Sequence, residues 1–195
     1  MRKLEITLIV AGAIALTCNF FLMPYSVLLS TLSLSALAII YFYFGFTIFH
    51  DFPIGQLRKK EAYAEFSSLM RVGTLAAGFS LAFTSVGILF KSNLWPGSFY
   101  MLSIGLLGLL IIIAISYRKN KTRTSIFYKR VLMRSSLFFM AGLLMLLIPK
   151  KKWIELKYRN YPGYVEALKN AIDHPGIKEY ILRVEEERQK INEKK

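Results

Sequence analysis

Long apolar segments follow one another along the chain. Residues 6–49 contain no Asp, Glu, Lys or Arg, and neither do residues 72–90, 92–117 and 135–149. A helix needs about 20 predominantly apolar residues to cross the hydrocarbon layer of a bilayer. The pattern predicts an all-α, polytopic membrane helix bundle in residues 1–149. Its predicted spans are about residues 4–22, 26–49, 72–90, 99–117 and 131–149.

The fifth segment leaves two interpretations open. Its uncharged part, residues 135–149, reaches spanning length only if the helix begins near Val131 and Arg134 extends toward the headgroups. Alternatively, the segment lies in the interface or re-enters, which keeps the C-terminal tail on the side of the N-terminus. Apolarity favours the first interpretation and the charge of the tail favours the second. We expect five spans.

The connections differ in length. Tight turns are predicted around Pro24 and around the Pro96-Gly97 pair. Trp95 suits the membrane interface, and Lys91 is predicted to reach the headgroups as an anchor. A longer polar connection at residues 50–71 could hold a surface helix over residues 58–70. No internal repeat is evident in the sequence.

The tail, residues 150–195, has a different composition, with twelve basic and eight acidic residues. Apolar residues recur there at three- and four-residue steps, which predicts two short amphipathic helices. The second helix is expected to start near Asp173, with Pro175 in its first turn. The two predicted apolar faces are Tyr164, Val165, Leu168, Ala171 and Ile172, and then Ile177, Tyr180, Ile181, Val184 and Ile191.

The net charge of +14 is distributed unevenly along the chain. Residues 1–3, 50–71 and 118–134 carry thirteen Lys or Arg, whereas the alternate loops at residues 23–25 and 91–98 carry one. Cytoplasmic loops are enriched in Lys and Arg. The pattern predicts a multi-pass protein of the cell inner membrane with a cytoplasmic N-terminus. We expect its basic residues to face anionic headgroups, with no role in binding nucleic acid.

Residues typical of catalytic chemistry are sparse. The apolar blocks contain no acid, whereas ion-coupled transporters usually need ionisable groups inside the membrane. His50 and Asp51 suggest a helix cap at a solvated boundary, and His174 suggests part of a turn. The single cysteine, Cys18, cannot form a disulfide within one chain. We therefore expect no catalytic, cofactor or metal site, and no enzymatic activity.

Small residues mark a candidate packing face on the third helix. They are spaced by three and four positions, which places them on one side of a helix and lets membrane helices approach closely. Gly105 and Gly108 could supply the opposing face within the bundle, and a protein partner or self-association is the alternative. Asn19, Ser30 and Ser33 are predicted to form interhelical hydrogen bonds. The packing face consists of Gly73, Ala77, Ser80, Thr84 and Gly87.

The second tight hairpin resembles that of GldL, a membrane motor subunit of bacterial gliding motility and type IX secretion. The resemblance covers residues 87–106 and includes a G-x-L-F-K pattern, a W-P-G turn and M-L-x-I-G-L. Where that family carries an intramembrane glutamate, this chain has Gly108 or Leu109. The resemblance therefore implies a shared membrane hairpin without the motor acid. The turn residues that carry it are Phe90, Lys91, Trp95, Pro96 and Gly97.

Abundant packing signals and sparse chemistry favour a non-enzymatic scaffold or accessory subunit of a cell-envelope complex. It would act through helix packing and the C-terminal tail. The alternative is a small transporter or channel, with Ser and Thr side chains along its path and Lys91 at its mouth.

Overall fold

The computed structural model describes residues 2–50, 67–122 and 126–193, which form eight α-helices and no strand. Five of these helices are long and apolar enough to cross a membrane. This confirms an all-α, multi-pass membrane helix bundle. The five are α1 (Arg2–Phe20), α2 (Ser26–His50), α3 (Ser68–Ser92), α4 (Ser98–Thr122) and α5 (Ile126–Leu147).

The helices extend beyond the uncharged segments that predicted them. The predicted basic connection at residues 118–134 is mostly helical, because α4 continues to Thr122 and α5 begins at Ile126 rather than near residue 131. Lys and Arg are good helix formers, so the helix does not end where the apolar run ends. At the start of α3, the Ser67 hydroxyl caps the helix by accepting from the Met70 N–H at 3.3 Å. Most of the predicted surface helix at residues 58–70 lies outside the described residues.

The turns after α1 and α3 have the same backbone conformation. Their sequences are L-M-P-Y-S and L-W-P-G-S. The first residue of each turn is left-handed, with φ of 56° at Leu22 and 60° at Leu94. The fourth residue is left-handed as well, with φ of 60° at Tyr25 and 83° at Gly97. The two turns are therefore equivalent mainly in their backbone, which is a likeness of local conformation and not an internal sequence repeat.

Both turns also end their helices with the same hydrogen bond. The Met23 N–H donates to the Cys18 carbonyl at 3.0 Å, and the Trp95 N–H donates to the Phe90 carbonyl at 2.8 Å. Such a bond over five positions, next to a left-handed residue, is the Schellman ending of a helix. Each turn thus leads its helix directly into an antiparallel neighbour.

Helix α3 lies at the centre of the bundle. It contacts each of the other four membrane helices, and its apolar window has the largest buried share of the five. The outer surfaces of the other helices expose many large apolar side chains, as expected for a surface in contact with lipid. The exposed residues include Leu28, Leu32, Leu107, Ile111 and Leu144.

The chain divides into two compact units, Met1–Leu147 and Ile148–Lys195. The second unit contains three helices, α6 (Lys150–Lys157), α7 (Pro162–Asp173) and α8 (Lys178–Glu193), where the sequence predicted two. The prediction of a helix start near Asp173 is wrong, because Asp173 ends α7. Pro162 occupies the first turn of α7, where its missing N–H costs no intrahelical bond. The buried apolar side chains of this unit are Trp153, Ile154, Tyr164, Ala167 and Ile191.

A candidate site around a buried ion pair

A carboxylate and a guanidinium meet inside the membrane unit. Arg134 Nε lies 2.6 Å from Glu5 Oε1, and Arg134 Nη2 lies 2.8 Å from Glu5 Oε2. The side chains of Glu5 and Arg134 are only 2% and 11% exposed. Both carboxylate oxygens therefore accept from a fixed, planar donor, which is the strong bidentate form of this interaction.

A tyrosine and two phenylalanine rings surround the pair. The Tyr41 hydroxyl donates to Glu5 Oε1 at 3.0 Å. The Tyr41 ring packs edge-on against Phe138 with centroids 5.4 Å apart, and the Arg134 guanidinium lies 5.6 Å from the centroid of Phe49. The cluster therefore joins α1, α2 and α5 at the end of the bundle that carries the N-terminus.

The sequence did not predict this site. The expectation that Arg134 extends toward the headgroups is wrong, because its charge turns inward to Glu5. Glu5 also belongs to α1 itself, so the absence of acids from the uncharged blocks did not mean their absence from the membrane helices. The available signal was a lone acid, Glu5, at the edge of the first uncharged block and an arginine, Arg134, at the edge of the last. Ionisable residues at such positions usually have a partner.

A groove of about 620 Å³ lies beside the ion pair. Its walls come from α1 and α5, and the two charged side chains form part of its lining. The groove is otherwise mostly apolar, so the ion pair joins two helices that are separated elsewhere by a gap. Its apolar lining consists of Ile6, Ile9 and Val10 on α1 and Met133, Leu137 and Met140 on α5.

His50 lies at the same end of the bundle. Its Nε2 is 2.9 Å from the Thr74 hydroxyl. Its ring stacks between Phe46 and Phe127, with centroid distances of 4.6 and 4.4 Å. His50 therefore connects α2, α3 and α5, and the expectation of a solvated helix cap is wrong. Asp51, its predicted companion, lies outside the described residues.

A second polar cluster lies at the opposite end. The Asn19 amide donates to the Ser30 hydroxyl at 3.2 Å and to Asn93 Oδ1 at 2.6 Å. The expected interhelical hydrogen bonds are thus present for Asn19 and Ser30. Ser33 instead bonds within α2, to the carbonyl of Leu29.

The hairpin motif at that end contains a buried lysine. Lys91 is only 9% exposed, so nearly all of its side chain is buried, and the expectation that its charge reaches the headgroups stays a prediction. In the turn that follows, the rings of Phe90 and Trp95 meet edge to face with centroids 5.3 Å apart. Pro96 is exposed, and Gly97 has the positive φ described above.

Most of the candidate packing face lies against α4. A Cβ atom on Gly105 would lie 2.7 Å from the Thr84 nitrogen, and one on Gly108 would overlap the Ser80 side chain. Gly87 packs equally closely against Leu102. At these distances the backbones of α3 and α4 lie closer together than they could if the glycines carried larger side chains.

Only the first residue of that face lies open. Ala77 is buried, whereas Gly73 is exposed and has no heavy atom within 4 Å of an added Cβ. Sequence reasoning missed Gly78, where an added Cβ would overlap the carbonyl oxygen of Tyr41 on α2. Helix α3 therefore makes close backbone contacts on two sides.

Within the described ranges, no three His, Cys, Asp or Glu side chains are placed to hold a metal ion. Cys18 is half-buried in α1, and the ring of His174 stacks on Tyr180 with centroids 5.3 Å apart. Comparison with known proteins found no matching family model, curated protein or solved structure. The function must therefore be inferred from the chemistry of the chain itself.

Proposed function

We propose that the protein is a non-enzymatic scaffold or accessory subunit of a bacterial cell-envelope complex. It is held in the inner membrane by its five apolar helices and acts through its C-terminal unit. The small-residue face supports this division of roles, because internal packing already occupies most of it. The resemblance of residues 87–106 to the GldL hairpin favours the same class of assembly.

An exposed apolar surface at the start of α8 carries the proposal, and it includes Ile177, which directly precedes the helix. Ile177, Ile181 and Leu182 are each about half exposed, at 46%, 49% and 58%. Ile191, on the same helix, is buried in the core of the unit. Apolar surface that a small water-facing unit leaves exposed is typical of a protein contact. We therefore infer that this part of α8 binds a protein partner.

Photo-crosslinking tests the proposed surface. A benzophenone amino acid at Ile181 is expected to crosslink to a specific membrane or envelope protein, or to a second copy of the chain. The matched control is Arg183, which is exposed and lies about 200° around the helix. Crosslinking at both positions alike, or at neither, would contradict a docking surface on α8.

The orientation follows from charge. The positive-inside rule favours a cytoplasmic N-terminus, and five crossings then place the C-terminal unit outside. In a Cys18→Ala background, a cysteine at the exposed Glu185 would report its side. We expect an impermeant maleimide to label intact cells. Labelling only after lysis would mean that α5 does not cross and that the partner is cytoplasmic.

A transporter or channel is the second hypothesis, and the burial of Lys91 in the last turn of α3 favours it over an enzyme. It predicts solute flux in liposomes that changes in Lys91→Ala. Crosslinking at Ile181 without flux would support the scaffold, whereas Lys91-dependent flux would support transport.

A further inference from the structure

We propose that the groove between α1 and α5 binds one anionic phospholipid from the leaflet on the N-terminal side. The acyl chain would occupy the apolar groove, and the phosphate headgroup would lie at its charged end. This inference is independent of the scaffold role.

The apolar walls suit an acyl chain. The groove has a volume of about 620 Å³, and its lining is apolar except near Glu5, Arg134 and Ser136. Large side chains along its rim are about half exposed or more, including Val10 at 52% and Leu137 at 57%. Inside a bilayer no water fills such a groove. A lipid acyl chain can fill it, because an acyl chain needs no hydrogen-bond partner.

Two exposed lysines extend the walls toward the headgroup region. Lys3 precedes Ile6 by three positions on α1, and Lys129 precedes Met133 by four on α5. Residues three and four apart share a helix face, so each lysine lies about one turn beyond the wall of the groove. The two ammonium groups thus flank the same end of the groove, where a lipid phosphate would lie.

The ion pair adds a donor but no net charge. Glu5 cancels the charge of Arg134 and occupies Nε and Nη2 of the guanidinium. Among the described residues, no acceptor contacts Nη1. This nitrogen remains able to donate to an ester or phosphate oxygen. Selectivity for an anionic headgroup therefore comes from Lys3 and Lys129, and Arg134 fixes the depth of the lipid.

Fluorescence quenching by brominated lipids tests the site. In the Cys18→Ala chain, a bimane label at Leu137→Cys would report lipid in the groove. A label at Leu107→Cys, on the exposed face of α4, is the matched control. The vesicles contain phosphatidylcholine, with bromine on the chains of either the phosphatidylglycerol or the phosphatidylcholine component.

We expect brominated phosphatidylglycerol to quench at residue 137 at a lower mole fraction than brominated phosphatidylcholine does. The preference for phosphatidylglycerol at residue 137 should be about five-fold for each lysine. The label at residue 107 should show no preference between the two lipids. Lys3→Gln with Lys129→Gln should remove the preference at residue 137. Lys119→Gln, which removes a charge from α4 outside the groove, should preserve it.

Three results would overturn the proposal. Equal quenching by the two lipids at residue 137 would mean unselective boundary lipid. No quenching by either lipid would mean that protein fills the groove. A preference that survives the double lysine variant would place the headgroup elsewhere.

Discussion

Glu5 and Arg134 lie 129 positions apart and join the first and fifth membrane helices through two hydrogen bonds of 2.6 and 2.8 Å. The groove beside them shows that apolar packing alone does not hold α1 against α5. The ion pair is therefore a direct contact that bridges α1 and α5 on this side of the bundle.

Glu5→Gln should destabilise the membrane unit by about 3–5 kcal/mol, because it leaves the guanidinium of Arg134 without its charged partner. Glu5→Leu combined with Arg134→Met should recover most of this loss, because no charge is then left buried. Unfolding of the purified protein in detergent, followed by circular dichroism, measures both variants. A double variant that loses as much stability as Glu5→Gln, or more, would contradict a coupled pair.

Gly78→Ala should destabilise the bundle by about 1–3 kcal/mol, because its Cβ would overlap the Tyr41 carbonyl and push α2 from α3. Gly73→Ala is the matched control on the same helix. It meets open space and should be neutral or stabilising by up to about 1 kcal/mol, because alanine favours a helix more than glycine does. Thermal unfolding in detergent compares them, and equal effects would refute the close contact.

Because the two turns share a backbone conformation, substitutions at their fourth residues, Tyr25 and Gly97, can be compared directly. Tyr25 is left-handed and 84% exposed, so Tyr25→Gly should relieve backbone strain with little loss of packing and stabilise the protein by about 1 kcal/mol. Gly97→Ala should cost about the same, although no atom lies within 4 Å of the added Cβ. The same unfolding assay should show shifts of opposite sign. Shifts of the same sign would show that the backbones are not equivalent.

Tyr158 predicts an alkaline effect in the C-terminal unit. Burial, and then the adjacent Tyr164, raise the pKa of Tyr158 above its usual value of about 10. Above pH 10 the unfolded chain loses this proton while the folded chain keeps it. The contribution of Tyr158 to stability is therefore complete below pH 10 and falls as the pH rises further.

Absorbance at 295 nm measures the ionisation of Tyr158 directly. The titration of the wild type minus that of Tyr158→Phe should have its midpoint well above pH 10 in the folded protein. In denatured protein the same difference should return to about pH 10. A midpoint near 10 in both states would contradict burial of the hydroxyl.

The sequence alone predicted the helices of the membrane unit well, because a bilayer forces apolar segments to satisfy their backbone groups internally. Four predicted spans lie almost entirely within helices of the structure, and the starts of the third and fifth helices were placed four and five residues late. The tail was predicted less well. Outside a bilayer, water can satisfy the backbone groups wherever a helix ends, so the helix ends of the tail depend on local capping and on contacts among α6, α7 and α8.

Most contacts between helices could not be predicted from the apolar pattern of the sequence. Gly105 and Gly108 were expected to oppose the small face of α3, because spacing along a helix places residues on one side. Gly78 and the pairing of Glu5 with Arg134 were missed, because each depends on which helix lies next to which, and at what height. Hydropathy carries no information on that choice.

The sequence by itself thus determined that this chain crosses a membrane repeatedly and which segments do so, since apolar length and charge act locally. Only the tertiary structure decided that Glu5 and Arg134 neutralise each other, that Lys91 is buried, that His50 stacks between two aromatic rings, and that a groove opens between α1 and α5. Each of these depends on distances between segments far apart in sequence, which are set by packing.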